Sequence, residues 1–362
     1  MHLLLVRFSS MGDVVLQTAT VNWLKSLFGA HLRISFLTSK EFASLLEGHP
    51  YIDEVMTFDR RQEKWGDLSA KIKKLHQKNK INLILDLHAT MRSWRLRQSF
   101  WFIPSLVVDK RRVERFVLTK FKMNFVKKIL ELPLFGLEPQ VERIIFDFKD
   151  IFGETESLSA VRKFLGTEMS LKQLTFLKKE NQRPHAKPYI VVAPAASFAP
   201  KRWPIERFVQ LTSKILEDQV FYHYDVIVLA GPADKYCEAF NQIENPRLIN
   251  LQGKTSLAES MKYLSHAHLC VGNDSGMNHI AEAYGRPVIT LFGPTHERFG
   301  FAPHGIFSEA ISVPLWCRPC STTGKNECFR DQQYCMQGIT TERVLQSMKD
   351  SVIKMGPLWS MI

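Results

Sequence analysis

Residues 267–292 read AHLCVGNDSGMNHIAEAYGRPVITLF. The apolar runs 267–271 and 288–292 predict two buried strands. Helix-forming residues fill positions 277–284 between them, and Gly285 follows where helices commonly end. A strand, a loop, a helix and a second strand in this order are the repeating unit of a parallel α/β sheet.

The loop before this helix carries an acid and two small residues, and a histidine follows one turn later; these are Asp274, Ser275, Gly276 and His279. Free backbone N–H groups and the positive end of the helix dipole attract phosphate to such a helix start. We therefore expect a phosphorylated small molecule as the ligand, with a nucleotide as the first candidate. A buried core histidine is the alternative interpretation of His279.

Apolar strands alternate with amphipathic helices along the whole chain, which predicts an α/β fold with parallel sheets. The predicted strands of the first half are His2–Phe8, Arg33–Leu37, Glu54–Phe58 and Ile81–Leu87. A polar, proline-interrupted linker around residues 178–187 separates them from a second series. We predict two Rossmann-like domains, residues 1–180 and 188–340, that face each other across a cleft. The helical tail, residues 341–362, is expected to pack back on the first domain.

Composition narrows the functional classes. The chain has 362 residues, of which 45% are hydrophobic, so two ordinary domains with proper cores are expected. No apolar run approaches the roughly 20 residues of a membrane-spanning helix. The first seven residues are predicted to be a strand rather than a signal peptide, so we expect a cytoplasmic protein. The formal net charge of +12 favours anionic partners.

The positive charge is concentrated in residues 92–128, where aromatic side chains are interleaved with it. This pattern is typical of contact with an anionic membrane surface or a phosphorylated amphiphile, and it also fits RNA. A solvated helix face is the simpler alternative for any single charge. The basic residues are Arg92, Arg95, Arg97, Lys110, Arg111, Arg112, Arg115, Lys120, Lys122, Lys127 and Lys128.

Two further loops follow predicted strands. The first strand ends in the sequence RFSSMGD, and ligands collect at the carboxyl ends of strands in open α/β sheets, so Asp13 is a candidate general base. Its position at a helix start favours the ionised form, and simple helix capping is the alternative. The second half opens with a strand followed by AASFAPKRWP, in which Lys201 offers a mobile cation for phosphate oxygens. An ordinary surface lysine is the alternative interpretation.

Taken together, SSMGD after the first strand, KRWP after the linker, and NDSGxxH followed by LFGPT resemble glycosyltransferase family 9. These are the ADP-heptose:lipopolysaccharide heptosyltransferases of Gram-negative bacteria. The motifs occur in family order and span nearly the whole chain. The resemblance implies a GT-B fold and an inverting, metal-independent transfer of heptose from ADP-heptose to a lipopolysaccharide inner-core acceptor. It also implies peripheral contact with the cytoplasmic face of the inner membrane and no nucleic-acid partner.

The resemblance also implies roles for individual residues. Asp13 matches the general base, and Lys201 matches the lysine that neutralises the donor phosphates. The implied donor-binding residues are Ser197, Asp234, Asp274, Ser275, Gly276 and His279. The implied acceptor-binding residues are Ser10, Met11, Gly12, Arg60, Arg61, Arg92, Arg111 and Arg112.

The chain departs from the family pattern at two positions. Met277-Asn278 stands where the family usually has Pro-Met, and His88 follows Asp-Leu where the family usually has Gln. The first departure is expected to retune the donor sugar and the second the acceptor. Transfer of another sugar, or to a phospho-glycan acceptor, therefore stays an alternative. An inactive nucleotide- or glycan-binding protein is a second alternative, which the retained Asp13 and Lys201 disfavour.

Four cysteines lie close together near the end of the second half, namely Cys317, Cys320, Cys328 and Cys335. In a cytosolic chain such a cluster favours tetrahedral zinc over disulfides. The spacing lacks the second C-x2-C of common zinc ribbons, however. A loop of reduced thiols is therefore the preferred interpretation, with zinc as the alternative, and no cofactor beyond the nucleotide-sugar donor is expected.

Overall fold

The computed structural model describes residues 1–108, 119, 177, 182–299 and 301–356. The chain divides into two compact units, which hold one parallel sheet each. The predicted domain limits, 1–180 and 188–340, remain a proposal, because almost all residues between 108 and 182 lie outside the described part. Among the described residues, no helix combines the length and the apolar character needed to cross a membrane.

The first unit is built around a five-stranded sheet in the order β3-β2-β1-β4-β5, with every pair parallel. Its strands are β1 (His2–Val6), β2 (Arg33–Ser39), β3 (Glu54–Phe58), β4 (Leu83–Asp86) and β5 (Ser105–Val107). Its helices are α1 (Met11–Phe28), α2 (Trp65–Lys78) and α3 (Met91–Ser99). Strand β1 is buried at all five positions, as expected for the central strand of a parallel sheet that is covered on both faces.

The second unit holds a six-stranded sheet in the order β11-β10-β9-β6-β7-β8, again with parallel pairs. Its strands are β6 (Tyr189–Ala193), β7 (Asp225–Val228), β8 (Leu248–Asn250), β9 (Leu269–Asn273), β10 (Val288–Phe292) and β11 (Glu309–Ser312). Its helices are α4 (Ile205–Glu217), α5 (Leu257–His266), α6 (Gly276–Ala283), α7 (Tyr334–Gln337) and α8 (Thr341–Met355).

Helix α8 contributes to the core of the second unit. Its buried residues Val344 and Met348 belong to the same hydrophobic core as Phe208 of α4 and Ile289 of β10. The buried face of residues 341–355 thus packs in the second unit, and the expected packing of the tail, residues 341–362, on the first domain stays a prediction. Residues 357–362 lie outside the described part.

Both sheets have a topological switch point, where chain order reverses between neighbouring strands. It lies between β1 and β4 in the first unit and between β6 and β9 in the second. Ligands of open α/β sheets bind at the carboxyl ends of the strands at such points, because the loops there run apart and leave room. The loops after these four strands are therefore the places to look for function.

Candidate functional site

In the second unit, the loops after β6 and β9 bring Lys201 and Asp274 together. Lys201 Nζ lies 2.7 Å from Asp274 Oδ2, and the Asp274 side chain is only 3% exposed. The Thr295 hydroxyl donates a hydrogen bond of 2.9 Å to the same carboxylate oxygen. The two predicted donor residues thus form an ion pair at the switch point, and a buried hydroxyl fixes its acidic member.

Asn273, the last residue of β9, joins the two loops. Its side-chain oxygen accepts a hydrogen bond of 2.9 Å from the Trp203 amide, and its amide nitrogen donates one of 2.6 Å to the Pro194 carbonyl. Because Asn273 and Trp203 are both fully or almost fully buried, these bonds stay sheltered from water. Sequence analysis assigned Asn273 no role, although it lies inside the NDSG motif.

Helix α6 begins directly beside this ion pair, with Ser275 as its N-cap residue. The Ser275 hydroxyl oxygen is buried and has no hydrogen-bond partner among the described residues. The first N–H groups of a helix also lack intrahelical partners. A buried hydroxyl, the first amides of the helix and the Lys201 ammonium are together groups that can bind an anion.

The chain departs from the family pattern at Met277-Asn278, and the structure explains the second of these residues, Asn278. The buried Asn278 amide donates to the carbonyls of Gly272 and Asn273, at 3.3 and 3.2 Å, and to the Thr290 hydroxyl at 2.8 Å. Asn278 therefore organises the end of β9. His279 is also buried, and its ring centroid lies 5.8 Å from that of Phe301.

Asp234 lies in a separate network in the loop that follows β7. Its carboxylate accepts hydrogen bonds from the Gly231 amide at 3.0 Å and the Tyr236 hydroxyl at 3.2 Å. The Arg202 guanidinium lies 3.9 Å from the same carboxylate and 4.6 Å from the centre of the Tyr236 ring. Burial, reinforced by the negative charge of Asp234, raises the pKa of Tyr236, so its phenol stays protonated. Ser197, also predicted to bind the donor, is exposed in the loop after β6.

In the first unit, the loop after β1 places Asp13 against Arg7. Arg7 Nη2 lies 2.7 Å from Asp13 Oδ1, and the two side chains are 8% and 16% exposed. The backbone amide and hydroxyl of Ser10 donate to Asp13 Oδ2 at 3.0 and 2.7 Å. Arg7 also donates to the Leu87 carbonyl after β4, which ties the two loops at this switch point.

These contacts set the protonation of Asp13. Burial alone would raise the pKa of this carboxyl, but the charge of Arg7 and the hydrogen bonds from Ser10 outweigh burial and hold the pKa below its ordinary value. Asp13 is therefore ionised near neutrality. The bond from the Ser10 amide also caps helix α1, so the capping interpretation and a role in chemistry are compatible. Arg7 was not among the residues predicted from the sequence, where its only signal was an arginine directly after a buried strand.

Basic side chains surround the same edge of the first sheet. Arg60 and Arg61 line a cavity of about 670 Å³, together with Ser39, Lys40, Glu41, Phe58 and Asp59. The Arg92 guanidinium lies 5.6 Å from the centre of the Phe8 ring, and burial followed by the charge of Arg60 lowers the pKa of Arg92. Of the other predicted acceptor residues, Ser10 is exposed, Met11 half-buried and Gly12 buried. Arg111 and Arg112 lie outside the described residues.

Asp86, at the end of β4, has a structural role. It is fully buried, accepts hydrogen bonds from the amides of His88 and Ala89 at 3.0 and 2.8 Å, and pairs with Arg97 Nε at 3.0 Å. The buried His88 ring packs edge-on against Phe8, with ring centroids 5.6 Å apart. The Asp-Leu-His motif therefore shapes the loop beside Arg7 and Arg92.

The four clustered cysteines are free thiols in this structure. Within the described ranges, which include all four, no group of three or more His, Cys, Asp or Glu side chains is placed to hold a metal ion. The loop that carries these cysteines is nevertheless tied to the anion site, since the Cys320 amide donates to the Pro294 carbonyl, next to Thr295.

A family model described as glycosyltransferase family 9 (heptosyltransferase) matches residues 126–329, more than half of the chain. The chain belongs to glycosyltransferase family 9. Lipopolysaccharide heptosyltransferase 1 of Campylobacter coli is 25% identical over 304 residues, which are 82% of this chain and 84% of the relative. Lipooligosaccharide heptosyltransferase 2 of Haemophilus influenzae is 30% identical over 159 residues, which cover 42% and 45% of the two chains.

Solved structures agree on the fold. A family 9 glycosyltransferase from Veillonella parvula gives a TM-score of 0.69 at 15% identity, covering 98% of this chain and 97% of the other. The heptosyltransferase WaaC of E. coli, solved with ADP, gives a TM-score of 0.64 at 18% identity and covers 97% and 100%. The predicted GT-B fold of this family 9 glycosyltransferase is thereby confirmed.

Proposed function

We propose that this family 9 glycosyltransferase moves a heptose from ADP-heptose to an inner-core lipopolysaccharide acceptor, with inversion at the anomeric carbon. The observation that carries the proposal is the Lys201–Asp274 pair at the start of α6, where Ser275 keeps a buried hydroxyl open. The heptosyltransferase relatives named above favour heptose as the sugar and ADP as its carrier.

Negative charge grows on ADP as it leaves the sugar. Lys201 and the amides at the start of α6 lie where they can stabilise that charge, and the hydroxyl of Ser275 can donate to a phosphate oxygen. Asp274 holds the Lys201 ammonium in place when no donor is bound. When the diphosphate binds, the ammonium contacts both Asp274 and a phosphate oxygen. Since these groups supply the positive charge themselves, we propose a transfer that needs no divalent metal.

Asp13 is the proposed base. The acceptor hydroxyl oxygen forms the new bond to the anomeric carbon, the bond from that carbon to ADP breaks, and the hydroxyl proton passes to the Asp13 carboxylate. A carboxylate with a lowered pKa is a weak base. Its contribution therefore comes from being ionised at every working pH and from being held in place by Arg7 and Ser10.

The acceptor is proposed to bind through its phosphates to the cavity lined by Arg60 and Arg61, with Arg92 beside it. Replacing Arg60 and Arg61 by alanine should raise the acceptor KM at least tenfold, about the free energy of one charge-assisted hydrogen bond, and leave the donor KM unchanged. The matched control removes two exposed lysines of α2, Lys73 and Lys74. An equal effect from the control would show that only net charge matters.

We also propose that α3 rests on the anionic cytoplasmic face of the inner membrane. Its outward positions Met91, Trp94, Arg95 and Gln98 fall on one helical face, and the exposed Trp101 and Phe102 follow. No Asp or Glu occurs between residues 87 and 108. Apolar side chains beside an exposed arginine, here Arg95, are typical of interfacial anchors on anionic lipid.

Vesicle sedimentation tests this surface. The full chain should bind phosphatidylglycerol–phosphatidylethanolamine vesicles more tightly than phosphatidylcholine vesicles, and less at high salt. Trp101→Ser with Phe102→Ser should weaken binding, whereas Tyr222→Ser with Ile306→Ser, two equally exposed apolar residues of the second unit, should not. If the Trp101→Ser, Phe102→Ser variant instead loses binding to an oligonucleotide and still binds vesicles, the surface binds RNA.

A screen of ADP-, UDP-, GDP- and CDP-sugars by thermal shift tests the donor. The proposal predicts that ADP-heptose raises the melting temperature most, and that Lys201→Ala removes most of this shift while the unliganded variant stays folded. If another nucleotide sugar binds better, the chain is a transferase for a different sugar. An unchanged shift in Lys201→Ala would remove the lysine from the donor site.

A further inference from the structure

The loop of residues 313–338, here called the cysteine loop, packs on the side chain of Lys201. Gly324 has a φ of +78°, and a Cβ atom placed on it would lie 2.3 Å from Lys201 Cγ and 2.5 Å from Cδ. Real Cβ atoms do not approach carbon that closely, and both contacted atoms lie in the stem of the lysine rather than at its mobile end. Gly324 thus touches Lys201 in a way that only glycine allows.

The cysteine loop is anchored on both sides of the ion pair. On one side, the buried Arg318 donates to the carbonyls of Gly293 and Thr295 at 2.5 and 3.1 Å, and to its own loop at Val313 at 2.9 Å. Thr295 is the residue whose hydroxyl holds Asp274. Arg318 therefore holds in place the segment around Thr295, and the Thr295 hydroxyl in turn holds the Asp274 carboxylate.

On the other side, the Gln333 side chain donates to the carbonyl of Pro200, the residue before Lys201. The tip of the loop is held by the Ser321 hydroxyl, which accepts a hydrogen bond of 2.8 Å from the Gly324 amide. The Ser321 amide in turn donates to the Pro294 carbonyl at 3.2 Å. Gly324 is therefore fixed against the lysine stem.

We propose that the cysteine loop is a positioning element that holds the Lys201 ammonium in register with the diphosphate site, with Gly324 as its contact residue. A lysine side chain has four rotatable bonds, so an ammonium that nothing supports is distributed over many rotamers. The loop removes that freedom before the donor arrives, which strengthens the contact at no cost during binding. The inference rests on the proposed role of Lys201 at the donor phosphates.

The test is a double-mutant cycle between positions 324 and 201, measured on the full chain by ADP affinity and by melting temperature. Gly324→Ala should weaken ADP binding about tenfold to a hundredfold, the range of one charge-assisted hydrogen bond, and leave adenosine binding unchanged. In a Lys201→Ala background the clashing atoms are gone. Gly324→Ala should there cause no further loss of ADP affinity and a smaller fall in melting temperature.

Gly48→Ala is the matched control. Gly48 has a φ of +75°, almost that of Gly324, but a Cβ there would meet nothing within 4 Å. It reports the backbone strain of an alanine at positive φ without any clash, so its effect on melting temperature should be the same with and without Lys201.

The outcomes separate the two ideas. If Gly324→Ala lowers the melting temperature and the ADP affinity equally in both backgrounds, Gly324 does not act through Lys201 and the inference is overturned. A different outcome is that Gly324→Ala lowers the melting temperature less in the Lys201→Ala background than in the wild type, while Lys201→Ala itself leaves ADP affinity intact. In that case the loop does hold the lysine in place, and the proposed role of Lys201 at the donor phosphates is wrong.

Discussion

Replacing Arg7 by glutamine should destabilise the first unit by an amount that depends on pH. The Arg7–Asp13 pair spans 2.7 Å with side chains 8% and 16% exposed, so removing the cation leaves a nearly buried carboxylate unpaired. Breaking a buried pair in this way costs about 3 kcal/mol when some solvent still reaches one partner. Arg33→Gln is the matched control on β2, because its pair with Glu54 spans 3.9 Å and both side chains are 40% exposed. That control should cost less than about 1 kcal/mol.

The loss of stability in Arg7→Gln should become smaller as the pH falls. In the wild type the pKa of Asp13 is lowered, so the pair stabilises the fold fully above the ordinary carboxyl value of 3.8 and loses this contribution only as pH falls through the lowered pKa. In Arg7→Gln the lowering effect of the arginine charge is lost while burial stays, so the pKa of Asp13 should be higher than in the wild type. The variant should therefore recover part of its loss relative to the wild type as pH falls, because Asp13 takes up a proton at a higher pH in the variant.

Urea unfolding, followed by amide hydrogen exchange of peptides from residues 2–28, isolates this unit from the second one. If Arg7→Gln costs no more than Arg33→Gln, or if the difference in unfolding free energy between Arg7→Gln and the wild type widens as the pH is lowered, Arg7 does not stabilise the fold through the Asp13 carboxylate.

Three further outcomes are expected. Asp13→Asn should lower kcat for transfer by about 10²- to 10⁴-fold while ADP binding, measured by calorimetry, stays unchanged; near-normal turnover would remove Asp13 as the base. The pH profile of kcat/KM should show no acid limb of Asp13 near neutrality, since its pKa is lowered, and an inflection at about pH 6 to 7 that depends on Asp13 would contradict this. Asn278→Met should cost about 1–3 kcal/mol of stability by orphaning buried partners, with the same preference among nucleotide sugars; a changed donor preference at unchanged stability would place Asn278 at the sugar.

Sequence patterns located the elements well, since apolar periodicity reflects burial directly. Strand β3 has the predicted bounds, Glu54–Phe58, and the donor loop lies between a strand and a helix as expected. Helix α3 was missed, because only Ser93 and Leu96 of its nine residues are buried and no apolar stripe marks its inner face. Helix α8 was recognised, but an amphipathic pattern does not say which sheet its apolar face covers.

The residues of the candidate site were proposed from the sequence, but their contacts with one another were not. Lys201 and Asp274 were each assigned to the donor, yet their contact depends on β6 and β9 being neighbours, which no local pattern states. The same limit hid the contact of Gly324 with Lys201, which joins positions 123 residues apart in the chain. Arg7 was missed for a different reason. A charged residue after a strand is usually solvated, and only burial turns it into the partner of Asp13.

The most direct measurement is the transfer reaction itself. The purified chain is mixed with ADP-heptose and a heptose-free lipid A–core acceptor, and the product is followed by mass spectrometry and by the NMR signal of its anomeric proton. We expect an acceptor heavier by one heptose, an equal amount of ADP, an inverted anomeric configuration, and loss of product in Asp13→Asn. Retained configuration, or transfer only from a different nucleotide sugar, would contradict it.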